Sequence, residues 1–213
     1  GLDYEYAKDP QDQYRVFLPQ VPEALYARQI GEEGSNVIAY LKDDNNNGFT
    51  LVLTANGGID APSESNLLFG AKDTDNAWNA NVKSVDLTNF RTDNATTLAF
   101  LFNGSKSLET ITGIEHLNTT QVQDLTAAFQ YCAALTNLDL SSWKTDNVTS
   151  VSNMFFQTTQ LQTVTGMDTW NMPKLTEARA LFAYSGITKV DLSNWNPTEL
   201  RDFTHVFNGC SNL

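Results

Sequence analysis

Positive charge is scarce in this chain. Its 213 residues include 13 Lys and Arg against 25 Asp and Glu, a formal net charge of −12. Phosphate backbones are bound through cationic side chains and the release of counterions. Nucleic acid and anionic membrane surfaces are therefore not expected as partners. The deficit is uneven, with a net of −8 over residues 1–81 and −4 over residues 82–213. Long apolar runs are absent too: none approaches the roughly 18 residues that would suggest a membrane span. No phosphate loop, H-E-x-x-H or calcium-loop pattern occurs, so neither a metal nor a cofactor is expected. Histidine is limited to His116 and His205, with no Cys or carboxylate cluster recurring beside both. Neither is expected to ligate zinc or serve a nucleophile. The acidic and polar runs Asp43-Asp44 and Thr92-Asp93-Asn94 read as turn chemistry rather than calcium sites. No signal-peptide pattern is visible at Gly1, which fits a tag scar or the start of a processed chain.

What the chain does have is a repeat. From Val82 onward a unit of about 26 residues is written five times, over 82–107, 108–134, 135–160, 161–186 and 187–212. Units of this length are one supersecondary element each, stacked so that every unit buries its neighbour's apolar face. Such arrays act by surface, which makes a binding protein the first expectation and an enzyme an unexpected one.

The third unit shows the grammar. Leu135, Leu138 and Leu140 follow the L-x-x-L-x-L spacing of a strand, leaving Thr136, Asn137 and Asp139 to solvent. Trp143 turns the chain into the polar stretch 144–147. Val148, Val151, Met154 and Phe155 then fall at i, i+3, i+6 and i+7, which predicts a short helix. Two aromatic columns follow from equivalence: Phe90, Leu117, Trp143, Trp170 and Trp195, and Phe102, Phe129, Phe155, Phe182 and Phe207. Both read as core, joining neighbouring units by apolar burial. Cys132 and Cys210 lie three residues beyond two of these phenylalanines and three units apart, roughly 14 Å at one strand spacing per unit. That is too far for a disulfide, so buried inert thiols are expected.

Alternate units differ. Units one, three and five carry Asp86, Asp139 and Asp191 in an outward strand slot. Units two and four carry Thr112 and Thr165 there, followed by a glycine and one extra residue. Separation of like charges explains the alternation at this stage.

The strings LTNLDLSSWKTDNVTSVSNMFF and FNGCSNL resemble the BspA-like leucine-rich repeat of bacterial surface proteins, over roughly 82–213. Leu117 in the tryptophan slot and Ala178 on the predicted helix depart from that pattern and suggest weaker rungs. The resemblance implies a leucine-rich-repeat-like α/β solenoid, with a parallel β-sheet on one face and short helices on the other. It also implies a secreted or wall-attached protein that adheres to host cells, matrix or other microbes. The family offers no catalytic residues to carry over.

Residues 1–81 lack the repeat and are expected to form an α+β N-terminal cap. Strands are predicted at 14–18, 36–41 and 49–54, a hairpin turn at 43–48, a helix over 22–30, and a degenerate capping unit over 65–78. Leu213 opens a sixth unit, so a longer protein is expected, with an anchor or more repeats beyond.

Two surfaces are candidates for binding. The strand face offers Lys83, Asp86, Thr112, Asn137, Asp139, Thr165, Lys189 and Asp191 to a protein or glycoprotein partner. The alternative is Tyr131, Phe156 and Tyr184, just past the phenylalanine slot in consecutive units. The leading expectation is a non-enzymatic adhesion module using the strand face. The runner-up is a spacer or self-associating surface component with no ligand.

Overall fold

The computed structural model describes residues 79–213 throughout. Before them it describes 5–7, 15–17, 24–29, 38–43, 49–54, 59–61, 63, 65–72, 74 and 75. The first five strands are β1 (Glu5–Ala7), β2 (Arg15–Phe17), β3 (Ala24–Gln29), β4 (Ile38–Asp43) and β5 (Phe49–Thr54). They pair antiparallel in sequence order. The register of β4 on β5, with Asp43 opposite Phe49, makes these two a hairpin; its turn at 44–48 lies outside the described residues. The helix expected over 22–30 is instead strand β3. Its residues Ala-Leu-Tyr-Ala-Arg-Gln favour helix locally, but pairing to strands on both sides overrides so weak a preference.

The next strands are β6 (Ile59–Asp60), β7 (Val82–Asp86) and β8 (Phe90–Arg91). After them come β9 (Thr110–Thr112), β10 (Asn137–Asp139) and β11 (Thr163–Thr165). The antiparallel meander passes directly into the repeats: β5 runs parallel to β7, and β7 parallel to β9, giving one seven-stranded sheet. Thr50 and Ser84 hydroxyls meet at 2.6 Å across the junction. Strands β10 and β11 form a separate parallel pair, and β6 pairs parallel with β8. Asp60 and Arg91 close that last pair with a 2.7 Å ion pair. The molecule is thus built mostly of small parallel strand pairs.

The predicted helices are not there. Among the described residues the only helical pieces are two 3-10 turns, Ile114–His116 and Met167–Thr169. The apolar positions Val148, Val151, Met154 and Phe155 are all fully buried, yet the backbone between them is a run of turns. Asn153 and Gln157 have φ of 56° and 55°, in the left-handed region. The same two positions are left-handed down the array: Phe100, Ala127, Asn153, Ala180 and His205 in one column, Gly104, Tyr131, Gln157, Tyr184 and Gly209 in the other. Alternation of this kind aims backbone groups at the neighbouring unit, so they do not close on the i−4 carbonyl. Val151, Asn153, Phe155 and Gln157 N–H donate to the carbonyls of Glu177, Arg179, Leu181 and Ala183 at 2.8–2.9 Å. A parallel bridge runs through Thr97, Asp124, Ser150, Glu177 and Asp202 at the start of these turns. Val, Thr, Ser and Asn are poor helix formers, Val by its branched Cβ and the polar three by bonding neighbouring backbone, so the sequence yields to this ladder at little cost.

The core lies between the strands and the turn ladder. Phe69, Phe102, Phe129, Phe155, Phe182 and Phe207 stack in a single column with centroid spacings of 5.2–5.8 Å. Trp143, Trp170 and Trp195 are buried, and each indole N–H reaches a carbonyl in the preceding unit: Ile114, Leu140 and Met167 at 3.3, 3.3 and 3.0 Å. Each such ring joins two units by packing and by a directed bond. Within 65–72, Leu67, Phe69 and Ala71 N–H donate to Ala99, Leu101 and Asn103, in the pattern of one more unit.

Candidate functional site

The strand face is polar and open. Asp86, Thr112, Asn137, Asp139, Thr165, Lys189 and Asp191 are exposed and Lys83 is half-buried, while Leu138 and Leu140 point inward. Strand pairing sets Asp86 beside Thr112, Asn137 beside Thr163 and Asp139 beside Thr165. Lys83, Asp86 and Thr112 therefore belong to the first pair of units, and Asn137, Asp139 and Thr165 to the second.

The Asp/Thr alternation is a difference in turn type. Asp86 Oδ1 accepts from the N–H and hydroxyl of Thr88 at 2.9 and 2.6 Å. Asp139 does the same with Ser141, and Asp191 accepts from Ser193 N–H. These hydrogen bonds, the hydroxyl first and the N–H second, hold Asp139 and Asp191 below the usual carboxylate range. In units two and four, Gly113 and Gly166 take φ of 81° and 94°, each leading into a 3-10 turn. A Cβ on Gly166 would stand 2.3 Å from Ser141 Cα, and one on Gly113 2.7 Å from Thr88 N. Both glycines press against the unit before.

Beyond each glycine turn the strand ladder is interrupted. β9 does not pair with β10, and β11 pairs with no strand of unit five, where one bond remains, from Thr188 N–H to Gln162 O at 3.1 Å. Glu109 N–H donates to Lys83 O, and Gln162 N–H to Thr136 O. Thr136 N–H, the counterpart across units two and three, makes no hydrogen bond among the described residues. Leu87 N–H and Leu140 N–H reach Thr112 O and Thr165 O, yet Gly113 and Gly166, which hold that position in units two and four, have no such bond. Two clefts result, of about 300 Å3 between units two and three and about 460 Å3 between units four and five. Their linings correspond by repeat position. Ile111, Ile114, Glu115, Asn137, Leu138 and Asp139 line the first. Val164, Met167, Asp168, Lys189, Val190 and Asp191 line the second. Five of the eight strand-face candidates thus border a cleft, Thr165 included. The apolar floors and the rim carboxylates Glu115 and Asp168 escaped sequence reasoning. The signal for them was the glycine with its extra residue.

The alternative aromatic surface is an edge-to-face row. Tyr131 meets Phe156 at 5.6 Å and Phe156 meets Tyr184 at 5.8 Å, near 80° in both cases. Tyr131 and Phe156 are half-buried, and Tyr184 is 47% exposed. Both cysteines are free; Cys132 is buried and Cys210 half-buried. Their thiols donate to Phe102 O and Phe182 O, the phenylalanine-slot carbonyls of the preceding units, at 3.3 and 2.9 Å. Burial pushes the Cys132 thiol far up. Asp93 accepts from Asn118 Nδ2 at 2.8 Å, which makes it a link between units. No group of three or more metal-ligating side chains occurs among the described residues.

A family model described as "Mycoplasma protein of unknown function, DUF285" matches residues 72–195 and again 156–213. The chain belongs to the DUF285 family. The two DUF285 matches overlap, as happens when a model spanning several units can be laid on an array in more than one register. No curated protein and no solved structure matches the chain.

Proposed function

We propose that this DUF285 chain is a non-enzymatic adhesion or protein-interaction module at a bacterial surface, binding through the strand face of a solenoid like the BspA-like leucine-rich repeat. The observation that carries this reading is the polar strand face itself, exposed across five units and opened at two equivalent steps. The net charge of −12 favours a partner with basic groups. A protein or glycoprotein on host cells, matrix or other microbes has the extent to cover such a face.

The test is binding to an immobilised panel of matrix proteins, mucins and glycans, beside a variant carrying D86N, D139N and D191N. Asparagine keeps a side-chain oxygen for the turn while losing the charge. Saturable binding, weakened in the variant, is expected. Binding that survives it but is lost in a Y131A, F156A, Y184A variant moves the site to the aromatic row. A second reading is a self-associating spacer, favoured by the exposed Phe203 and Phe207 of unit five. It requires no panel binding and a sedimentation coefficient that rises with protein concentration.

A further inference from the structure

The two clefts recur with the same construction, and that recurrence defines an occupant. Each has an aliphatic floor, the partly exposed Ile111 beside the buried Leu138 in the first and the partly exposed Val164 and Val190 in the second. Each has carboxylates at the rim: Glu109, Glu115 and Asp139 in the first, Asp168 and Asp191 in the second. The charged groups facing them are few. His116 Nε2 lies 3.4 Å from Glu115 Oε1, and Lys189 borders the second cleft. Asp139 is engaged by Ser141 through Oδ1 alone. In the first cleft Thr136 N–H and Gly113 N–H are also left without a strand partner.

We propose that each open step receives one lysine or arginine side chain from an extended segment of the protein partner, the first cleft being the stronger site. The proposal rests on the strand-face reading above. A long cationic side chain fits both halves of the cleft: its methylene stem covers the aliphatic floor while its head stays at the wet, acidic rim. The first cleft has three rim carboxylates and no lysine, whereas Lys189 offsets part of the second. The clefts are two units apart, about 10 Å at one strand spacing per unit. A partner segment in the polyproline II conformation has three residues per turn and advances about 3.1 Å per residue. Cations three residues apart thus share one face and engage both steps at once. Two linked contacts then act with a high effective concentration.

The probe is a fluorescent peptide, acetyl-Gly-Ser-Arg-Thr-Ser-Arg-Ser-Gly, titrated by anisotropy at low and physiological salt. Its control has the same composition with the arginines adjacent. Three proteins are compared: the unaltered chain, the E115Q, D168N variant, and an E177Q, E199Q variant with the same change in charge away from the clefts. Glu115 and Asp168 are exposed, so the first variant keeps the fold, checked by its unaltered thermal midpoint. Expected is binding weakened about tenfold by E115Q with D168N and by the adjacent-arginine control, and little changed by E177Q with E199Q. Equal weakening by both variants, or no preference for the spaced peptide, overturns the proposal. The same variants, with D86N added, are then run on the partner panel. Partner binding indifferent to E115Q and D168N but lost with D86N alone, at the strand-face aspartate that borders neither cleft, overturns the cleft proposal and leaves the strand-face reading standing. Partner binding indifferent to E115Q with D168N and to D86N, D139N and D191N together overturns both.

Discussion

The carboxylate of Asp139 accepts from the hydroxyl and N–H of Ser141 at 2.6 and 3.0 Å, and Asp202 is held the same way by Thr204. Asp191 accepts from Ser193. All three carboxyls sit below their ordinary value, with the hydroxyl bond the largest cause. A folded-state value below the unfolded one contributes stability that is complete above the ordinary 3.8 and is lost as the pH falls through the folded value. The thermal midpoint is therefore expected to drop as the pH goes below about 3.8. A D139A, D191A, D202A variant should start lower at neutral pH and show a shallower acid slope. Thermal melts by circular dichroism from pH 7 to pH 2 check this. The cysteines give a second contrast between single residues. Cys132 is fully buried with its thiol pushed up, whereas Cys210 is half-buried. A maleimide is expected to label Cys210 in the native protein and Cys132 only after unfolding, read by mass spectrometry.

At the scale of the element, the predicted helix and the observed turn ladder bury the same side chains. The i, i+3, i+6, i+7 spacing of Val148, Val151, Met154 and Phe155 identified the core but not the backbone path. A turn repeated every few residues reproduces helical spacing, and what separates the two is the left-handed φ at Asn153 and Gln157. Nothing in those two side chains announces it, because the conformation is set by the unit alongside. The strands of units one to four were legible from the L-x-x-L-x-L alternation, but unit five carries the same spacing from Ile187 and forms no strand. Phe155 stacks on Phe129 and Phe182 at 5.7 and 5.2 Å and is fully buried. Replacing it with alanine is expected to cost about 3–5 kcal/mol in urea unfolding. Gly166→Ala forces a Cβ onto the Ser141 backbone at a φ of 94°. It should cost more than about 1 kcal/mol while leaving the distant β1–β5 meander intact.

Over the whole molecule, four alternate amides in each turn run, Leu98 to Gly104 in unit one and their counterparts through unit four, donate to the next unit. The amides just before them, such as Thr149, Thr176 and Arg201, donate back to the previous one. Ala178, Ala180, Phe182 and Tyr184 N–H donate to unit five, while Phe203, His205, Phe207 and Gly209, at the same positions in unit five, donate to nothing among the described residues. Hydrogen exchange is expected to be slow at the first four amides and fast at the second four, which mass spectrometry with fragmentation resolves. The sequence made the five units and their order legible. It did not reveal that they associate in twos, because Gly113 and Gly166 were read together with Thr112 and Thr165 as a matter of charge. The pairing gives the array a reading frame. Excision of residues 135–186 would set unit two against unit five and restore a glycine-bearing unit followed by an aspartate-bearing one. Excision of 135–160 alone would set two glycine-bearing units in contact, with neither the Asp-Ser turn that Gly166 packs on nor a cleft of the same shape. Lineages of such a chain can therefore lengthen or shorten in steps of two units while keeping every junction of a kind already present, and a step of one is a frameshift in three dimensions.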